Sequence, residues 1–333
     1  MGIRSLGNPV ARYEAVWKRT GLGAVNAPYP GGGTWFGSRG LFSGGYDGSY
    51  RNYISYITIA STGNATDFGD LTANRMQTAS LSDGYRGVIG GGREATNVDV
   101  NKIESVIIPT TGNATDFGDL TQAREAAGAA SNGSRGVFAA GHKWPGYSEV
   151  IDYITIQTPG NATDFGNMNT ARAWVGYLNS DTRGVFAGGE KSGGWTNEIE
   201  YITIATTGNG TDFGDLQTAR NNLAGVSNGT RGCFGGGYLG PGSSPTYYNM
   251  IGYITIASTG NATDFGDLTQ AREGDAGASN GTSNRGCFAG GNNANGGNYH
   301  NIIDYITITS TGDASDFGDL TSSYAFASGT SGG

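Results

Sequence analysis

The sequence predicts an all-β chain assembled from six copies of one sheet unit, and three observations carry that prediction. The stretch Tyr253–Arg272, YITIASTGNATDFGDLTQAR, recurs with other copies beginning at Tyr56, Ser105, Tyr153, Tyr201 and Tyr305, so that successive starts lie 49, 48, 48, 52 and 52 residues apart. A second signature keeps the same pace: Arg-Gly, two apolar residues, then small residues ending in Gly, from Arg39, Arg86, Arg135, Arg183, Arg231 and Arg285. Third, 61 Gly and only 14% charged residues accompany 11% aromatics held in register. Disorder needs few aromatics and high net charge, so this composition means many tight turns between short strands. Such a period marks stacked supersecondary units, none large enough to bury a core alone.

Taken in order, residues 1–33 fall outside the period and form an arm and linker. Val10–Arg19 has the pattern of a short helix, and NAPYPGGG at Asn26–Gly33 refuses regular structure. Arg4, Arg12, Trp17, Lys18 and Arg19 are its anchoring residues; a loose tail or a strap on the body is the alternative. Residues 34–333 form the second domain, in which each repeat offers four strands. In the last complete copy these are Gly277–Ser279 with its flanks, Arg285–Ala289, Ile302–Ile308, and a strand around Phe317. In the third strand Tyr305 and Thr307 face opposite to Ile306 and Ile308, as expected where both faces pack on neighbouring sheets. The chain enters the body at a second strand, Arg39–Gly45, and ends with YAFASGTSGG, Tyr324–Gly333, which reads as a first strand with no second to follow. The missing strand of the first unit is therefore expected from the C-terminus, which would close a ring and remove exposed edges.

Two small apolar strands, a Gly-Gly, a Tyr-bearing strand, then an aromatic before L-x-x-A-R is an order that resembles the kelch repeat, over residues 34–333. The resemblance implies a six-bladed kelch-like β-propeller with the C-terminal strand joining the first blade. The chain departs from the kelch pattern at the outer aromatic, where Phe68, Phe117, Phe165, Phe213, Phe265 and Phe317 stand in place of Trp.

Chemistry-bearing motifs are few. A net charge of −8 with four Lys leaves no basic stripe for nucleic acid, and no apolar run reaches membrane-spanning length. The N-terminus lacks the apolar centre of a secretory signal. Cys233 and Cys287 replace Val in the same slot of successive repeats and are expected as buried, unpaired thiols. The six Asp-Phe-Gly tripeptides lack every companion motif of a protein kinase and read as turns, in which Asn64 and Asp67 bond their own backbone and Gly69 reverses the chain. Asn-Ala-Thr, without a secretory signal, is likewise turn chemistry.

Asp70, Asp119, Asp215, Asp267 and Asp319 recur before Leu, with Asn167 in the third copy, and Arg75, Arg124, Arg172, Arg220 and Arg272 close five copies. A residue present in every unit serves what every unit needs, so these are read as ties between strands. Ca²⁺ on Asn64, Asp67 and Asp70 is the functional alternative. Two His, with no His-x-x-x-His or Cys-x-x-Cys, give no metal, cofactor or catalytic constellation. Galactose oxidase shares the kelch scaffold, but its copper site needs His and Tyr ligands this chain cannot assemble, so an oxidase or glycan hydrolase is the weakest reading.

Where the repeats stop agreeing is more informative. Between the Gly pair of the second strand and the third strand lie loops of changing sequence, all on the face opposite the invariant turns. Loops on a rigid scaffold carry function. Tyr46, Tyr50, Trp144, Tyr147, Trp195, Tyr238, Tyr247, Tyr248, Tyr299 and His300 are the candidate ligand-binding residues, and exposed Tyr and Trp beside Asn and Asp suit sugar or protein surfaces. The alternative is that these aromatics fold back over the sheet edge.

The repeat wording itself, YITIASTGNATDFGDLT followed by RGVFAGG, resembles repeats of structural proteins of tailed phages, especially those of marine cyanobacteria. That resemblance implies a non-enzymatic virion protein (tail, fibre or capsid appendage) present in several copies on the particle. Other virion proteins would hold the N-terminal arm, and the loop face would meet host-surface glycan. The alternative is an architectural spacer, cement or decoration protein with no ligand.

Overall fold

A computed structural model describes residues 37–240, 245–280, 283–293 and 297–332, all within the unit Gly32–Gly333. The expectations for Val10–Arg19 and for Arg4, Arg12, Trp17, Lys18 and Arg19 lie outside the described residues. Those residues contain no helix and are organised in antiparallel sheets, six of them four-stranded. Sheet two, in spatial order, is Ala79–Ser82, Arg86–Gly90, Lys102–Ile107 and Thr115–Asp119. Sheets three to six repeat it, starting at the inner strands Gly128–Ser131, Gly176–Asn179, Ala224–Ser227 and Ala276–Asn280. Sheet one joins the two ends of the body: Ser328–Gly332 pairs with Arg39–Ser43 from Ser43↔Ser328 to Arg39↔Gly332, and Tyr53–Thr58 and Thr66–Asp70 follow.

The C-terminal stretch is thus an inner strand, as expected, but only over its last residues. Tyr324 is not part of that strand; it occupies the position that Arg fills in the other copies.

Each hydrophobic core belongs to two sheets, which is why one repeat could not stand alone. In sheet three, Val137 enters the core shared with sheet four and Phe138 the core shared with sheet two. This alternation follows from the two-residue period of a strand. Both residues are fully buried, and a side chain of this size contributes about 1.5–3 kcal/mol. Phe42, Ile57 and Ile59 of sheet one share a core with Cys287, Ile303 and Phe317 of sheet six, so the alternation carries across the chain ends. The outer Phe sits in a β-bulge, with Ile151 opposite Gly166 and Asp152 opposite Asp164, which leaves Phe165 unpaired and turned into the core. Cys233 and Cys287 are buried and unpaired, in agreement with the sequence reading.

Neighbouring sheets are tied at four levels, each at a position that recurs in the repeat. The Arg of each Arg-Gly reaches a carbonyl of the next sheet: Arg39 donates to Ile108 O at 2.9 Å and Arg285 to Ile59 O at 3.0 Å. Five of these guanidinium groups lie 4.2–4.6 Å over the Tyr ring of their own third strand. At the rim, Asn64 accepts from Asp319 N–H at 3.1 Å and Asn113 from Asp70 N–H at 3.0 Å. The expectation that Asn64 bonds its own backbone is therefore corrected: it staples sheet six to sheet one. Gly69 has φ +151, and a Cβ there would lie 2.5 Å from Gly112 O, so only Gly lets adjacent rims meet.

Two further circuits run between the inner strands. Ser131, Asn179 and Ser227 donate to carbonyls of the preceding sheet at 2.6, 2.8 and 2.6 Å, and Ser82 reaches Ser331 O. Just before each inner strand a second series links Gln77, Ala126, Trp174, Asn222, Gly274 and Phe326. Gln77 N–H donates to Phe326 O at 2.8 Å, Phe326 to Gly274 at 2.7 Å, Gly274 to Asn222 at 2.9 Å, and so on back to Gln77. All six have positive φ, between 53° and 66°, and five of them are not glycine.

The closing Arg residues are internal. Arg75, Arg124, Arg172 and Arg272 are wholly buried and meet carboxylates of the third strand, Glu104, Asp152, Glu200 and Asp304, at 2.9, 2.9, 3.2 and 2.9 Å. Each of these side chains reaches from the end of one copy to the third strand of the next, while its backbone bonds to the preceding sheet, as Arg75 does with Gly45 and Arg51.

Candidate functional site

The variable loops lie between the second and third strands, and several form short hairpins of their own. His142–Lys143 pairs with Gly146–Tyr147, Glu190–Lys191 with Gly194–Trp195, and Tyr238–Leu239 with Thr246–Tyr247. The sequence reading treated these stretches as plain loop; the pairing gives them a fixed frame. Each hairpin is also stitched to the linker before an inner strand. Tyr46 bridges Ala325, Glu125 bridges His142, Asn221 bridges Tyr238, and Glu273 bridges Asn292. The residue after each of these linker positions belongs to the positive-φ circuit, so the loop aromatics surround that circuit.

The predicted residues divide into three groups. Tyr46, Tyr50 and Tyr299 pack on one another, with ring centroids 5.4 and 6.0 Å apart, and Tyr50 donates its hydroxyl to Asn97 at 2.5 Å. Tyr238 and Tyr247 also pack together, with ring centroids 5.1 Å apart and planes tilted by 48°. Tyr248 and His300 sit at the feet of their hairpins: the Tyr248 ring is 5.9 Å from Arg220, and burial together with the Arg272 charge lowers the His300 pKa. The third group, Trp144, Tyr147 and Trp195, comes from adjacent hairpins. Trp144 is 75% exposed, and Tyr147 donates to Glu190 at 2.8 Å. With the Asn221 amide turned to suit its neighbours, Trp195 Nε1 donates to Asn221 at 3.2 Å.

Around this third group the structure gathers residues the sequence reading passed over. Trp174 stacks on His142 at 5.3 Å, and Tyr147 meets both rings edge-on. Gln77, with its amide oriented to satisfy both neighbours, donates to Glu125 Oε2 at 2.6 Å and accepts from Trp174 Nε1 at 2.8 Å. Asn222 donates to Glu273 at 2.7 Å. Burial raises the carboxyl groups of Glu125 and Glu273 to about 7. For Glu125, Arg93 opposes that shift and Asp99 adds to it. Burial lowers the His142 pKa, with Asp99 opposing the shift. The result is a partly exposed aromatic surface edged by carboxylates and amides.

A signal for the missed residues was present. The slot two after each closing Arg (Tyr324 in the last copy) reads Gln77, Ala126, Trp174, Asn222, Gly274 and Phe326, and the residues on either side of it vary too, where the strands themselves repeat. Beneath it the inner strands line a cavity of about 130 Å³. The Tyr177 hydroxyl reaches across from sheet four to accept from Ser80 N–H of sheet two at 3.3 Å. No protein-family model matches the chain, and no curated protein does.

Proposed function

We propose that the body is a six-bladed kelch-like β-propeller acting as a non-enzymatic recognition module, with carbohydrate as the ligand of its loop face. The propeller reading is supported by six four-stranded sheets whose cores are each shared by two neighbours, and by hydrogen bonds that run from Gln77 through six linkers and back. The observation that carries the functional reading is the exposure of Trp144 among polar groups. At 75% it is one of two large apolar side chains exposed among the described residues. Its ring meets His142 at 6.2 Å, and His142 in turn packs on Tyr147 and Trp174. Trp195 stands on the adjacent hairpin opposite Glu190, to which Tyr147 donates. Flat aromatic faces with planar amide and carboxylate acceptors are what a sugar ring requires: C–H faces to stack on, and hydroxyls to pair.

Placement on a phage particle, with the N-terminal arm as anchor, rests on the likeness of the repeat wording alone. The architectural alternative draws on a different observation. Tyr46, Tyr50, Tyr299, Tyr238 and Tyr247 spend their faces on one another, which is what loops that only cover a surface would do.

The test is binding of the full chain to a glycan array and to candidate host cells, beside Trp144→Ala and Trp195→Ala. Binding that falls at least about tenfold on substitution, the loss of roughly 1.4 kcal/mol or more, supports recognition at this surface. Absence of binding by the unaltered chain leaves the architectural reading.

A further inference from the structure

Asp99, Glu125 and His142 come from three separate segments, and no spacing rule connects them. Their ligand atoms nevertheless lie within 4.8 Å of one another. We propose that these three side chains bind a transition-metal dication, Zn²⁺ first among them, a function that does not depend on the carbohydrate reading.

The geometry is prepared from the backbone upward. Glu125 and His142 are directly paired: Glu125 N–H donates to His142 O at 3.0 Å and His142 N–H to Glu125 O at 2.7 Å. Their side chains leave that bridge together, with Nδ1 of His142 3.3 Å from Oε1 of Glu125. That nitrogen is buried and makes no hydrogen bond. Stacking on Trp174 at an interplanar angle of 28° holds the imidazole plane. Asp99 arrives from the neighbouring sheet's hairpin, and its Oδ2 accepts from Trp144 N–H at 3.2 Å. Gln77 steadies the far oxygen of Glu125. Such outer partners aim ligands at a metal and fix their basicity.

Charge supports the same reading. Arg93 Nε lies 3.1 Å from Asp99 and 3.4 Å from Glu125, so a single cation faces both carboxyl groups. The Arg93 side chain is 23% exposed and can swing outward when a dication takes its position. One nitrogen and two carboxylate oxygens suit Zn²⁺ or its neighbours in the first row. Ca²⁺ and Mg²⁺ prefer all-oxygen sets. Three protein ligands leave a coordination position open to water.

The experiment is calorimetric titration of the full, tag-free chain with Zn²⁺, with Co²⁺ absorption as an independent readout of nitrogen and oxygen ligation. One equivalent is expected to bind, and the affinity to fall as pH drops and the ligands take up protons. His142→Phe keeps the stacked ring and removes the nitrogen; it should weaken binding at least about tenfold, as should Glu125→Gln, whereas His300→Ala should change nothing. Zn²⁺ should raise the unfolding temperature of the unaltered chain and leave that of His142→Phe where it was, a comparison that tolerates a destabilised variant. Failure of the unaltered chain to bind, or equal binding by His142→Phe (an adventitious ion only), would overturn the proposal.

Discussion

The N–H of Gln77 donates to the carbonyl of Phe326 at 2.8 Å, so the first inter-sheet linker is bonded to the last. Phe326 also precedes Ser328–Gly332, the inner strand of sheet one. Removing residues 324–333 would take away two bonds of the circuit, one strand, and Tyr324 from the core shared by sheets six and one. It would also uncover Arg39–Ser43 as an unpaired edge, the kind that recruits other chains. The expected outcome is loss of a single sharp melting transition and the appearance of oligomers on size-exclusion chromatography. A truncated chain that remained monomeric with an unchanged transition would contradict the ring closure proposed above.

Five closing Arg residues look equivalent in sequence, but one lacks its partner. Opposite Arg220 the third strand has Gly252, where the other copies with Arg have Glu104, Asp152, Glu200 or Asp304. Arg220 keeps one bond, to Phe234 O at 3.3 Å, and two of its nitrogens are buried without a partner. Burial accordingly lowers it to about 10. Gly252→Asp is predicted to restore the tie and stabilise the protein by about 1–3 kcal/mol, since a Gly in a strand is also removed. The added Cβ meets only the flexible end of Gln217, whose Oε1 would have to move from 2.3 Å. By contrast Arg124→Met strands Asp152 and should cost about 3–5 kcal/mol, while Arg220→Met should cost far less. Urea unfolding of the variants separates these outcomes by midpoint.

The strands, their order and the exchange at the ends were legible because a two-residue alternation and a fixed repeat dictate them. Arg285–Ala289 was read to the residue, and Ile302–Ile308 runs one residue past the strand formed, Ile302–Thr307. What could not be read was the effect of single departures from the repeat. Tyr177 reaches across the central cavity because the same slot holds Gly in sheets five, six and one, as Gly225, Gly277 and Gly329. A Cβ at Gly225 would fall 2.1 Å from the backbone O of Tyr177, and one at Gly277 2.3 Å from Gly225 O, so the inner strands here approach too closely for a side chain. The candidate surface failed to show for a similar reason. Trp174, Gln77 and Glu125 sit in linkers that look structural, and only folding brings them to His142 and Trp144. Conversely, Tyr248 and His300 have the composition of ligand-binding loop residues, but lie over buried Arg at the base of their hairpins.

Asp275 is the remaining exception to the repeat, and it sets a pH dependence. It occupies the slot of Val175 and Leu223, is 6% exposed, and neither carboxyl oxygen has a hydrogen-bond partner among the described residues. Burial raises its pKa to about 7, against the opposing pull of Arg272. A carboxyl raised in the folded state contributes stability below its unfolded value, near 4, and loses that contribution as pH climbs through the folded value near 7. Glu125 and Glu273, also near 7, act in the same direction. The protein should therefore be more stable at pH 5 than at pH 8, contrary to a protein whose carboxylates are all well paired. Asp275→Leu, which copies Leu223, should stabilise at pH 8 by roughly 2–4 kcal/mol, and the gain should shrink as the pH is lowered toward 5. Chemical denaturation at the two pH values measures the difference. If the gain is equal at both, ionisation of Asp275 plays no part and the substitution acts through packing alone.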